Sequence, residues 1–392
     1  MKKENISLGI VVIGYKNTVG MSRLLSSLSN AEYPLDNIKL IISIDYSGDN
    51  SVEKVAEDFK WNFGEKIIKA YDTNLGLRTH ILKCGDYIKE YNLDALIALE
   101  DDIYVAPNFF VYSLQACKTY KDNSKIAGIA LYKHEINLFA KHPFIEYKDD
   151  GDVFFIQYAM SWGQIWLKKQ WEDFKNWLEK EEWKNIDSYL IPDNIKQWNN
   201  SWLKYHIMYC IAKNKFFVYP RVSLTTNFTD VGAHNTFSTS QMQVPLDFRT
   251  NKVWKFNDIN NSKSVYDAFF ENLYIKKILN YKDCVIDLNG VKPIDTGHRY
   301  ILTRKKLNYK IVKTWGLQFR PIELNIILEC EGNEIFLYDM KYKESNNFKR
   351  NLDSKYVEYD LKGLDIVNIN SIKFLIIRFF QKLDYKIKNI RK

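Results

Sequence analysis

Over residues 8–131 the chain alternates short apolar runs with amphipathic helical patterns, and this alternation limits the fold more than any other feature. Leu8–Ile13, Ile38–Asp45, Lys66–Tyr71, Ala95–Leu99 and Ile126–Leu131 read as strands. Thr18–Ser29, Ser51–Phe59, Leu77–Tyr91 and Pro107–Tyr120 read as the helices between them, with Ser51 as an N-cap and Pro107 at a first helical position. Apolar strands joined by helical crossovers imply an α/β fold with a doubly wound, mostly parallel sheet covered on both faces. Sheets of this kind bind ligands at the carboxyl ends of their strands. Asp45, Asn74 and Glu100–Asp102 stand at those ends, so one crevice can collect them.

From about residue 150 to 220 the texture changes. Trp162, Trp166, Trp171, Trp177, Trp183, Trp198 and Trp202 gather there, which predicts a helical, aromatic-lined second half of the same domain. Phe216–Pro220 reads as a further strand and Thr225–Thr239 as a polar loop. Past about residue 250 the strand–helix rhythm is lost. Asp283–Leu288, Leu324–Leu328 and Ile335–Met340 read as short strands of a smaller β-rich or α+β region. The expected organisation is a large domain over 1–248, an accessory region over 249–370 and a basic amphipathic helix over 371–392.

Composition narrows the class. With 46% hydrophobic and 15% aromatic residues the chain is not disordered, and 16 Gly and 8 Pro are too few for a collagen-like or linker-like chain. No uncharged apolar run reaches the roughly 18 residues of a membrane span. Leu8–Tyr15 runs into Lys16-Asn17 instead of a small-residue cleavage site, so it reads as a buried strand and not a signal peptide. Cys84, Cys117, Cys210, Cys284 and Cys330 are scattered, which argues against a zinc site or disulfide framework and fits a cytoplasmic setting.

The net charge of +8 is uneven. Residues 371–392 hold Lys373, Arg378, Lys382, Lys386, Lys388, Arg391 and Lys392 against Asp384 alone. Ile372, Leu375, Ile376, Phe379, Leu383, Ile387 and Ile390 share one helical stripe there. Such a helix suits peripheral attachment to an anionic membrane surface; packing on the accessory region is the alternative. The first half lacks a basic, aromatic-laced cluster, so no nucleic-acid partner is expected.

Glu100-Asp101-Asp102 directly follows the fourth strand. Adjacent carboxylates raise one another's pKa, and a divalent cation relieves the repulsion. Mn²⁺ or Mg²⁺ takes a few carboxylate oxygens plus substrate phosphate oxygens, so the triplet at a strand end reads as a metal–diphosphate site. Elsewhere it would be a solvated acidic turn.

An ordered series of short motifs accompanies the triplet. Asn74-Leu75-Gly76-Leu77-Arg78, Cys84-Gly85-Asp86, Leu99-Glu100-Asp101-Asp102-Ile103, Pro107 and Tyr112 come first. Ser161-Trp162-Gly163 with Trp166 and Trp171, then Asn200-Ser201-Trp202, then Tyr219–Leu224 with Asn227, and finally Gly232 and His234 follow. Over about residues 5–240 this series resembles the GT-A glycosyltransferases. It is similar to mannosyl-glycoprotein N-acetylglucosaminyltransferase I, and more closely to bacterial sugar transferases that share its pattern. Nothing comparable covers 250–392.

The resemblance implies roles. Gly14, Tyr15 and Asn17 would hold the nucleotide base, with Lys16-Asn17 where the family has Asn-Arg. Asp45 matches the aspartate that binds the uracil ring, an Asx turn before Ser47-Gly48 being the alternative. Asn74, Gly76 and Arg78 follow in the donor site, Arg78 facing the diphosphate. Glu100 and Asp101 would face the ribose and nucleotide, and Asp102 would hold Mn²⁺ or Mg²⁺. His234 would contact the diphosphate or the metal, and Trp162 would stack on an acceptor sugar. The implied activity is inverting, metal-dependent transfer of a hexosyl or N-acetylhexosaminyl group from a nucleotide sugar, a UDP-sugar in particular. The acceptor would be a glycan or lipid-linked hydroxyl in surface polysaccharide synthesis; the basic segment 371–392 adds the expectation of a cytoplasmic enzyme docked at the inner face of the plasma membrane.

Transfer needs a carboxylate base. Related inverting enzymes carry an aspartate near the second tryptophan step, which here reads Trp198-Asn199-Asn200-Ser201-Trp202. Asp193 is the expected base, with Asp230 and Asp173 as alternatives. A nucleotidylyltransferase is the competing enzyme class, although the Gly14–Gly20 turn has few glycines and one cation for gripping a triphosphate. A catalytically dead glycan-binding relative is the other alternative.

Overall fold

The computed structural model describes residues 6–199, 201–230 and 240–361, and beyond them 372, 373, 376, 377, 379, 380 and 383. All seven residues of β1 (Leu8–Gly14) are buried. Each fully buried aliphatic side chain contributes about 1.5–3 kcal/mol, which favours a place for β1 in the sheet's interior. It pairs in parallel with β2 (Leu40–Ile44) on one side and β4 (Ala95–Glu100) on the other, and β2 pairs with β3 (Lys66–Ala70). Helices α1 (Thr18–Ser29), α2 (Ser51–Asp58) and α3 (Leu77–Glu90) make the crossovers.

The chain continues through β5 (Ile103–Val105), α4 (Phe109–Tyr120), β6 (Ile126–Ala130), β7 (Val153–Ile156) and β8 (Gln164–Leu167). Then come α5 (Lys168–Glu179), α6 (Asp193–Lys196), α7 (Trp202–Ala212), β9 (Phe216–Pro220), β10 (Thr225–Asn227) and β11 (Val265–Tyr266). Nine strands form one sheet in the order β3-β2-β1-β4-β8-β6-β9-β7-β11. Strand β8 is antiparallel to β4 and β6, and β7 to β9; the other ladders are parallel.

Both faces are covered. Ile10, Val12, Ile97 and Leu99 enter a core with residues of α1, α2 and α4, while Val11, Ile13, Leu96 and Ala98 enter a second core with α3, α5 and α7. Trp166, Trp171, Trp177 and Trp202 are buried in the second core, and Trp166 stacks on Trp171 with ring centroids 4.3 Å apart. From β1 the chain moves outward to β2 and β3, then returns to place β4 on the opposite side of β1. The switch point of the sheet therefore opens between the carboxyl ends of β1 and β4.

A second unit follows. Strands β12 (Cys284–Asp287), β13 (Tyr300–Thr303), β14 (Tyr309–Trp315) and β15 (Ile335–Lys343) form a sheet in the order β12-β13-β15-β14. Helices α8 (Tyr274–Leu279), α9 (Leu324–Ile327) and α10 (Leu352–Asp360) supply Ile275, Ile326 and Leu352 to its two cores. Trp254 and Ile259 still belong to the first unit's core, and Ile275 is the earliest residue of the second. A buried polar joint fastens the units: the Tyr266 hydroxyl and the Asn272 amide donate to Glu323 Oε1 at 2.6 and 2.9 Å. No helix among the described residues is long and apolar enough to cross a membrane.

Several local expectations are corrected. Leu324–Leu328 is not a strand: buried Asn325 bonds the backbone of Gln318, Phe319 and Ile322, and this hub coils the segment into α9. Ser51 opens α2 instead of capping it; Asn50 holds the cap position and Asp49 accepts the Ser51 N–H. Pro107 precedes the cap residue Asn108, its carbonyl accepting the Glu32 N–H. The segment read as a loop from Thr225 begins as β10, paired with β5.

Candidate active site

The switch point is laced together by the acidic turn. The Tyr15 N–H, just past β1, donates to Asp101 Oδ2 at 3.1 Å. Asn17 caps α1, its side chain accepting the Gly20 N–H at 2.8 Å. A Cβ on Gly20 would overlap the Asp101 carbonyl oxygen and the Asn17 amide, and one on Gly14 would overlap the Met21 methyl. Gly20 therefore permits the close approach of α1 to the turn, and Gly14 the close packing of α1 on the end of β1. From the other side, Asn227 of β10 pairs with Ile103 of β5, and the Phe228 N–H donates to the Asp102 carbonyl at 3.0 Å.

Electrostatics concentrate there. Burial raises Asp101 to about 7, with the Asp102 charge adding to the effect and the Tyr15 N–H opposing it. Burial also lifts Glu100 well above the usual carboxylate range, with Asp102 and Asp101 contributing. Asp102 is raised by burial as well, against the Asn227 amide and the Arg23 charge. Its Oδ1 is buried and has no hydrogen-bond partner. Asp230 approaches the same place, pairing with Arg23 and accepting from Asn17 Nδ2 at 3.1 Å. The Arg23 guanidinium lies 3.8 Å from the centroid of the Phe228 ring, and its Nε is buried without a partner.

Thus Gly14, Tyr15, Asn17, Asp101 and Asp102 are brought together, with Glu100 closing β4 beside them. Asp45 is buried nearby on the β2 end but is fully engaged. Its Oδ1 accepts from the Tyr46 and Leu75 N–H groups at 3.0 and 2.8 Å, and its Oδ2 from the Gly76 N–H at 3.0 Å and the Asn74 amide at 3.3 Å. These bonds fill the four acceptor sites of a carboxylate, so Asp45 shapes the 74–76 loop. Gly76 sits there at φ +75°, a left-handed conformation that favours glycine. Behind Asp45, the buried His80 imidazole contacts Ser43 Oγ at 2.7 Å and is held near pKa 4 by burial.

Other expected residues lie in different settings. Arg78 donates to the Asn199 carbonyl at 2.7 Å and packs 4.7 Å over Tyr205, without a described contact to the acidic turn. Asp193 is exposed and pairs with Lys196 at 2.7 Å. Asp173 pairs with Lys169 on α5. Trp162 is partly buried against Tyr132 at 4.8 Å, and its carbonyl accepts from Thr225 Oγ1 of β10 at 2.6 Å. His234 lies outside the described residues.

Sequence reasoning overlooked Arg23 and Thr229, and weighed Gly20 only as part of a turn too poor in glycine to grip a triphosphate. Thr229 takes φ +50°, rare for a β-branched residue, and is held by Asn227 Oδ1, which accepts from its N–H at 2.7 Å and its hydroxyl at 3.0 Å. The signal for Arg23 was its place three residues after Gly20 on one helix face.

No group of three or more His, Cys, Asp or Glu side chains among the described residues forms a metal cage. Mg²⁺ and Mn²⁺ at nucleotide sites use one or two carboxylates plus substrate phosphates. An unpartnered, buried carboxylate oxygen at a switch point fits that donor set. Two cavities of about 510 and 550 Å³ open instead on the second unit. Arg304 and Lys306 in the first are already paired with Asp360 and Asp353.

No family model matches the chain. No curated protein matches it either. Among solved structures, it is similar to residues 1–349 of S. aureus TarS in complex with UDP-GlcNAc, with a TM-score of 0.37 and 14% identity over 56% of this chain and 58% of that one. It is also similar to the mannosyltransferase PcManGT from Pyrobaculum calidifontis in complex with GDP-Man and Mn²⁺, with a TM-score of 0.32 and 10% identity over 44% of this chain and 47% of that one. A cytidylyltransferase from Leptospira borgpetersenii gives a TM-score of 0.28 and 12% identity over 44% of this chain and 65% of that one. The matches span 60% or less of the TarS 1–349 and PcManGT chains.

Proposed function

We propose that the chain is a metal-dependent, inverting glycosyltransferase that moves a hexosyl or N-acetylhexosaminyl group from a UDP-sugar to a hydroxyl of a glycan or lipid-linked acceptor. The observation that carries this reading is Asp102: a half-buried carboxylate at the β1/β4 switch point, one of whose oxygens is buried and unpartnered. Asp102 would hold Mn²⁺ or Mg²⁺, which when bound neutralises the charge that develops on the leaving diphosphate. Tyr15, Asn17 and the Asp45-braced 74–76 loop line the nucleotide side. Trp162 offers a ring face to an acceptor sugar, and Asp193 is the proposed base that takes the acceptor hydroxyl proton.

A nucleotide-sugar panel tests this, with released nucleoside diphosphate measured with and without Mn²⁺. Release from a UDP-sugar, stimulated by Mn²⁺, is the expected result, and Asp193→Asn is expected to lose at least about 100-fold in transfer. Pyrophosphate release from nucleoside triphosphates in place of it would establish the nucleotidylyltransferase alternative. Full transfer by Asp193→Asn would remove that residue from the mechanism.

The enzyme's site of action is proposed from residues 371–392. The described apolar side chains there, Ile372, Ile376, Ile377, Phe379, Phe380 and Leu383, are all exposed, by 43–62%. At about 100° per residue, five of them fall on one arc of roughly 100°. Seven basic residues against Asp384 complement an anionic lipid surface. Co-sedimentation with phosphatidylglycerol vesicles is expected for the full chain and lost on deleting 371–392. Equal binding by the truncated chain would refute the proposal.

A further inference from the structure

We propose that Arg23 is the cation that receives the donor's diphosphate, and that Asp230 occupies it until the donor binds. This rests on the donor-site reading above. Arg23 follows Gly20 by one turn on α1, and its guanidinium packs on the ring of Phe228, whose own N–H donates to the Asp102 carbonyl of the acidic turn. Phe228 supports its face at 3.8 Å, which leaves the planar edge of the fork for an oxyanion. Asp230 takes Nη2, while the buried Nε donor goes unused. A buried donor without a partner is costly to the fold, and a bidentate phosphate would satisfy it.

The partner side is prepared as well. Thr229, the residue between Phe228 and Asp230, is locked in its left-handed conformation by Asn227. The turn that presents Asp230 to Arg23 is therefore built, and it stands on the strand that borders Asp102. Arg78, the cation expected at the diphosphate from sequence, also has a buried Nε without a partner, but its Nη2 is bonded to the Asn199 carbonyl and its face lies on Tyr205, without a described contact to the acidic turn. Arg23 takes its place. A carboxylate already seated on Arg23 competes with the incoming phosphate, so the two partners of one ion pair have opposite effects on donor binding.

Calorimetric titration of the full chain with UDP in the presence of Mg²⁺ tests this. Arg23→Gln is expected to weaken UDP by about 10- to 100-fold, the worth of a hydrogen bond to a charged group. Arg23→Lys is expected to recover part of the loss, because it restores the charge without the fork. Asp230→Asn is expected to bind UDP more tightly than the wild type. The proposal is overturned if Arg23→Gln, shown folded by its melting curve, binds UDP within twofold of the wild type. It is equally overturned if Arg23→Gln and Asp230→Asn weaken UDP alike, since that marks a structural ion pair. A wild-type chain that binds no nucleoside diphosphate would instead remove the donor-site reading, and this inference with it.

Discussion

Replacing Asp102 by asparagine is expected to lower Mn²⁺-dependent release of nucleoside diphosphate by about 1,000-fold or more while making the metal-free protein more stable. The first effect follows from what the metal supplies at a departing diphosphate, several kcal/mol of charge stabilisation, each 1.4 kcal/mol being about tenfold in rate. The second follows from the turn itself. Glu100, Asp101 and Asp102 crowd three acidic groups into a desolvated corner, and each is raised by burial. A carboxyl raised in the folded state stabilises the fold fully below its unfolded pKa and ceases to do so as pH climbs through the folded value. For Asp101 that value is about 7, so the metal-free protein at pH 8 carries the whole cost. Asparagine keeps the shape of Asp102, removes its charge, and gives up no hydrogen bond at Oδ1, which had none. Melting curves at pH 8 should therefore rise for the variant without metal, and the Mn²⁺-induced rise of the wild type should be absent from it. Undiminished release by Asp102→Asn would show that this carboxylate does not hold the metal.

The way the sequence encodes this site explains what could be read in advance. The strand–helix alternation and the acidic triplet depend on local pattern, and both were legible because a parallel sheet needs apolar strands and places polar residues at strand ends. The Gly85 of the Cys84-Gly85-Asp86 motif has an equally physical reason: a Cβ there would overlap the Trp171 indole, so α3 and α5 can meet only at a glycine. Contacts between distant segments were not legible. Nothing near Asp45 in sequence announces that its four acceptor sites will be filled largely from a loop 29 to 31 residues on. The pairing of Arg23 with Asp230 spans 207 residues, and it exists because β10 lies beside β5. Arg78 stands at the right place in a motif, yet a carbonyl and a tyrosine ring from the second half of the domain claim its guanidinium. In Leu324–Leu328 the apolar run suggested a strand, and a single buried Asn325 with backbone partners on a neighbouring loop decided for a helical turn.

His206→Phe is expected to protect the protein against acid, with an advantage over the wild type that grows as pH falls. His206 is fully buried on α7, stacked on Phe174 with ring centroids 4.1 Å apart and flanked by Trp171, Trp202 and Phe217. Neither ring nitrogen has a hydrogen-bond partner. Burial alone holds its pKa near 3, against 6.5 when the chain is unfolded. A histidine lowered in this way contributes stability that is present above 6.5 and is lost as pH falls toward the folded value, because only the unfolded chain then takes up the proton. The slope is about 1.4 kcal/mol per pH unit, so by pH 5 the wild type has lost about 2 kcal/mol through this one side chain. Phenylalanine does not titrate, and the packing cost of its larger ring is the same at every pH. Urea unfolding at pH 7.5, 6 and 5 separates the two contributions: packing sets the offset between the proteins, and His206 sets how that offset changes. The raised carboxyls of the acidic turn are common to both proteins and cancel in the comparison. An offset that stays constant from pH 7.5 to 5 would mean that His206 is protonated in the fold as readily as in the unfolded chain, and that the aromatic cage around it admits water.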